Sequence, residues 1–89
     1  MARFMAYHTV PDMTKERFSE SLKEVRKWRP DPRTTIIKVC CNLAEGKMVT
    51  ECDAVDQAAF ESWIQQVGWP VDKIYKVDVI AQTGSIWQF

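Results

Sequence analysis

The chain has 89 residues, 46% of them apolar, and 12 basic against 12 acidic side chains for zero net charge. Residues 1–89 suit one domain with a modest core, and the apolar content excludes a disordered chain. No basic stripe points to nucleic acid, and no apolar run suits a signal peptide or a membrane span. An odd cysteine count, three, argues against a disulfide framework and for a reducing, cytoplasmic setting.

Residues 2–10 are apolar and aromatic and read as a central strand ended by Pro11. Thr14 is the expected N-cap of a helix over 14–28. Phe18, Leu22 and Val25 recur there at helical spacing with Trp28 nearby, and Lys15, Glu16, Glu20 and Lys23 occupy the solvated face. Residues 29–33, with Pro30 and Pro32, form a stop and a stiff linker. Residues 34–43 and 47–53 read as strands around a tight turn at Glu45-Gly46. Asp53 or Asp56 caps a second helix over 55–67, which buries Phe60, Trp63, Ile64 and Val67. Gly68 suits the helix C′ position, and Pro70 blocks continuation. Residues 74–81 form the fourth strand, and 82–89 an extension carrying Ile86, Trp87 and Phe89.

One strand–helix–strand unit is thus written twice. That order predicts an α+β fold, a βαββαβ sandwich whose four-stranded antiparallel sheet carries both helices on one face.

Strand side chains alternate faces, so register decides which residues meet. A two-residue turn at Glu45-Gly46 sets Leu43 opposite Met48, Cys41 opposite Thr50 and Val39 opposite Cys52, a helix-facing apolar set that includes Ile37. It sets Asn42 opposite Val49, Cys40 opposite Glu51 and Lys38 opposite Asp53 on the outer face. In the fourth strand Tyr75, Val77 and Val79 are expected inward, with Ile74, Lys76, Asp78 and Ile80 outward. In the first strand Phe4, Ala6 and His8 are expected outward, because a titratable imidazole is costlier to bury than Met5. A half-apolar outer face with no helix on it invites a second copy, so a homodimer is expected. The tail around Trp87 and Phe89 would reach across the partner.

His8, the lone histidine, would then share an outer-face row with Glu51 and Cys40. An imidazole, a carboxylate and a thiol in reach of one another suit a borderline-soft ion such as zinc or nickel. The plainer alternative leaves His8 hydrogen-bonded in the interface, Glu51 solvated and Cys40 a small filler. A second reading pairs His8 with Glu51 or Asp78 as a general acid–base couple for proton abstraction from a small substrate. Cys40 and Cys41, being adjacent in a strand, point to opposite faces and form no motif. Trp63 falls on core spacing, whereas Trp69, just before Pro70, could rim a ligand cleft. There is no Gly-rich phosphate loop, Gly-x-Ser-x-Gly elbow or HExxH, so nucleotide enzymes and hydrolases find no support.

Phe4-Met5 followed by His8, Glu45-Gly46-Lys47, Gly68-Trp69-Pro70 and Ile74-Tyr75-Lys76-Val77 together make the chain resemble a family of short bacterial and archaeal ferredoxin-like domains of unknown function. Some members are described as nickel-binding. The resemblance implies a dimeric α/β barrel and a metal site at His8. Where the nickel-binding pattern carries histidines, this chain has Thr9 and Trp69. The architecture is also similar to that of small cofactor-free monooxygenases and muconolactone isomerase. Three expectations follow. The first is a homodimer that binds a small ligand or metal ion at the sheet. The second is a small monooxygenase- or isomerase-like enzyme with His8 as base. The third is an assembly module without catalysis.

Overall fold

The computed structural model describes residues 1–27 and 32–88. The expectations for Trp28, for Pro30 in the linker, for Phe89 and for the side chains of Val25 and Trp87 fall outside what is described. The elements are β1 (Ala2–Thr9), α1 (Lys15–Lys27), β2 (Thr34–Asn42), β3 (Lys47–Ala54), α2 (Gln57–Val67), β4 (Lys73–Val77), β5 (Val79–Gln82) and β6 (Ser85–Gln88). Four strands form an antiparallel sheet in the order β2-β3-β1-β4. Phe60, Trp63 and Ile64 of α2 meet Phe4, Ala6, Met48 and Cys52 of the sheet, and Phe18 and Leu22 of α1 close the same core. This is the α+β architecture expected of a ferredoxin-like fold.

Local chemistry explains the helix ends. The Asp56 carboxylate accepts from the Ala59 N–H at 2.8 Å, capping α2. Gly68, at φ 81°, closes the other end by donating its N–H to the Ile64 and Gln65 carbonyls. The left-handed turn sends Trp69 back into the core.

The β2–β3 connection departs from the expected two-residue turn. It takes residues 43–46, because the Asn42 side chain accepts the Glu45 N–H at 3.0 Å and builds a turn of its own. Asn42 therefore pairs with Lys47 and Cys41 with Met48. The slip is two positions, which preserves faces, so Met48, Thr50 and Cys52 are buried as expected. Cys40 lies opposite Val49 and Lys38 opposite Glu51, not opposite Glu51 and Asp53. Beyond these a β-bulge between Ile36 and Lys38 reverses the alternation. Ile36 turns toward the core and Ile37 stands exposed, the reverse of expectation. Leu43 is exposed in the connection.

The central strand β1 and its edge neighbour β4 correct the reading more deeply. Phe4, Ala6 and His8 are buried on the helix side, not outward. Their partners across the ladder are Cys52, Thr50 and Met48, and residues directly opposite share a face. The alternative would bury Arg3. On the outer face its Nε donates to Asp53 at 2.7 Å and its Nη1 to Glu51 at 2.6 Å. A guanidinium with two carboxylate partners outweighs a neutral imidazole in deciding the face. Ile74, paired with Ala6, consequently packs on the core, and Tyr75 is outward. The expected strand 74–81 is cut at Asp78. Val77 pairs with Arg3, so β1 has one residue left to continue the ladder. Residues 79–88 instead close on themselves as the β5–β6 hairpin, a separate two-stranded sheet.

Candidate functional site

His8 is 1% exposed and both ring nitrogens are engaged. Nδ1 lies 2.7 Å from the Pro70 carbonyl oxygen and Nε2 lies 2.9 Å from the Thr50 hydroxyl. A carbonyl only accepts, so Nδ1 carries the proton and Nε2 accepts from Thr50. Burial lowers the His8 pKa, against the opposing pull of the Pro70 bond and the Asp72 charge. The imidazole is therefore a neutral pin that fastens the segment after α2 to the sheet. The Asp72 N–H, bonded to the Tyr7 carbonyl at 2.8 Å, fastens it again.

What this pin positions is Trp69. Its ring meets His8 edge-on with centroids 5.6 Å apart, and Trp63 at 5.9 Å. Trp69 is 7% exposed, and its indole N–H has no hydrogen-bond partner among the described residues. Its outer side walls a cleft of about 330 Å³ between the end of β1, the start of α1 and the end of α2. Val10, Met13 and Val67 supply apolar lining, and Asp12 and Arg17 supply charge. Arg17 stands in the first turn of α1, its backbone N–H bonded to the Thr14 hydroxyl at 3.1 Å. Its guanidinium donates to the Asp12 carbonyl at 2.9 Å.

The expected row of His8, Glu51 and Cys40 is not assembled. The sheet stands between His8 and the other two, because only Glu51 and Cys40 are on its outer face. Glu51 accepts from Arg3, and Lys38 lies 3.9 Å from its other oxygen. Cys40 is exposed beside Val49. Asp78 is exposed at the β4–β5 break, away from the Trp69 cleft. Among the described residues no three His, Cys, Asp or Glu side chains are grouped to hold a metal ion. The donor set read for zinc or nickel therefore does not fit. Of the remaining thiols, burial pushes Cys52 up to about 12 and raises Cys41. Both are poor nucleophiles.

The outer face carries a second set of features. Tyr7 and Tyr75 form an edge-to-face pair 5.6 Å apart, with the Lys73 ammonium 4.8 Å over the Tyr75 ring. A cavity of about 420 Å³ lies between this face and the hairpin, floored by Arg3 and Glu51 and walled by Ile37, Ile80 and Gln82. Thr50, Pro70 and Arg17 were missed in reading the sequence. Arg17 had left a signal, because a cation in a first helical turn opposes the helix dipole.

The fold and the cleft together define a small ferredoxin-like α+β protein with a tryptophan-walled pocket on the helix side. The chain is similar to SCO4226 from Streptomyces coelicolor A3(2), whose crystal structure matches with a TM-score of 0.79 at 17% identity, covering 90% of this chain and 100% of that one. At that identity the likeness is one of fold. No family model matches the chain, and no curated protein matches it. Among the described residues no helix is long and apolar enough to cross a membrane.

Proposed function

We propose that this chain is a homodimeric, cytoplasmic ligand-binding protein that takes a small organic molecule in the Trp69 cleft. In this reading it packs its outer sheet face against a second copy as a dimeric α/β barrel, like the short ferredoxin-like domains it resembles. The observation that carries the ligand reading is the pinned Trp69 itself. A buried histidine holds a large aromatic wall rigid beside an open cleft whose volume suits a small ligand. Support for the second copy comes from Tyr7, Ile37 and Tyr75, 38%, 43% and 47% exposed on a face that no helix covers. The exposed apolar Val79 and Ile86 of the hairpin extend that surface. Three free cysteines accord with a reducing compartment.

The acid–base reading draws less support. His8 has no free nitrogen for a substrate, and Glu51 is held by Arg3 on the far side of the sheet. Two measurements test the proposal. Light scattering should give a mass near twice the 10.4 kDa chain, shifted toward monomer by Tyr7→Asp. In an amide and indole NMR titration, the apolar anion 1-anilinonaphthalene-8-sulfonate should shift the Trp69 indole and Gly68 signals. A monomer refutes the dimer. Shifts confined to the hairpin refute the cleft.

A further inference from the structure

We infer that the molecule taken by the Trp69 cleft is a small apolar monocarboxylate, gripped by Arg17. This rests on the reading of the cleft as a ligand site and goes on to name its chemistry.

Arg17 sits where a cation is unwelcome. The first turn of α1 presents free N–H groups and the positive end of the helix dipole. Its guanidinium makes one hydrogen bond, to the neutral Asp12 carbonyl, and no ion pair among the described residues. Arg3 by contrast is held on the outer face by two carboxylates, Glu51 and Asp53. A guanidinium has five N–H donors in a planar fork that matches a carboxylate. One donor held by the Asp12 carbonyl restrains the fork at the cleft and leaves the others for a ligand.

The rest of the cleft selects the ligand's body and charge. Val10, Met13, Val67 and Trp69 make the wall apolar. The Trp69 indole N–H is buried and has no hydrogen-bond partner among the described residues. Asp12 is the second charged residue of the lining. Repulsion from Asp12 grows with the ligand's charge while Arg17 offers one cation, so phosphate monoesters and dicarboxylates are disfavoured relative to a monocarboxylate whose single charge sits on the Arg17 fork. A volume near 330 Å³ accommodates one ring or a short branched chain.

The test compares phenylacetate with its neutral counterpart 2-phenylethanol by amide and indole NMR titration, with the Trp69 indole signal assigned from Trp69→Phe. Phenylacetate should bind at least about tenfold more tightly, the scale of one charge-assisted contact. Arg17→Gln should close that gap while leaving the circular dichroism spectrum unchanged, since Arg17 is exposed. Equal binding of the two probes, or a gap that survives Arg17→Gln, overturns the carboxylate inference and leaves the cleft standing as a ligand site. If neither probe moves the Trp69 and Gly68 signals at about 10 mM, a concentration that detects even weak complexes, the ligand site falls as well.

Discussion

Replacing Thr50 by Val tests the pin on which the cleft depends. The two side chains have nearly the same shape, so the change leaves no cavity. What it removes is the hydroxyl that donates to His8 Nε2 at 2.9 Å. Thr50 is 0% exposed and His8 1%, so water cannot take its place. The variant therefore loses a net hydrogen bond and strands a buried acceptor, a cost of about 1–3 kcal/mol. For a domain of this size that corresponds to a fall in Tm of about 5–20 °C. Urea unfolding followed by circular dichroism gives the free energy, and long-range proton–nitrogen NMR of the imidazole gives the tautomer. The wild-type ring should carry its proton on Nδ1, since the Pro70 carbonyl can only accept. A stability change below about 0.5 kcal/mol, the level of an ordinary surface substitution, or a proton found on Nε2, would refute the reasoning.

Acid should loosen the same pin. Burial holds the His8 pKa below its ordinary value, and unfolding restores it. Below the ordinary histidine pKa the unfolded chain binds a proton that the folded chain resists, so stability is full above that value and falls as the pH drops. His8 is the only histidine. Urea midpoints should thus decline from about pH 7.5 to 5, a window in which histidine dominates, and His8→Gln should flatten the decline. A midpoint that rises on acidification contradicts the assignment. Gly46→Ala should also destabilise. The residue has φ 64°, an added Cβ would lie 2.7 Å from the Pro11 Cα, and its carbonyl accepts the Val10 N–H at 2.7 Å. Left-handed strain alone costs about 1–3 kcal/mol. A melting temperature unchanged from wild type would show that the 43–46 connection is free to move away from Pro11.

The helices were legible because their information is local. Phe60, Trp63 and Ile64 repeat at helical spacing, Asp56 caps, and Gly68 followed by Pro70 stops. Trp69 could be placed beside a cleft for the same reason, since it directly follows the stop. The partners of His8 were not legible. Thr50 is 42 residues away and Pro70 is 62 away, and nothing near His8 announces either. The bulge at Ile37 was equally hidden, because an extra residue in a strand leaves the hydrophobic pattern nearly unchanged while exchanging the faces beyond it.

The amino-acid sequence alone determined both helices, the first three strands and the order in which they follow, since propensity, periodicity and capping act over a few neighbouring residues; it did not show that 79–88 fold back as a hairpin. Tertiary structure alone decided which way β1 and β4 face, while β3 already faced as its pattern said. A face is set by register, and register by pairings such as Arg3 with Asp53, 50 residues apart along the chain. That pairing turned the arginine outward, and with it the histidine inward, where it became a support for Trp69 and not a ligand on the open sheet.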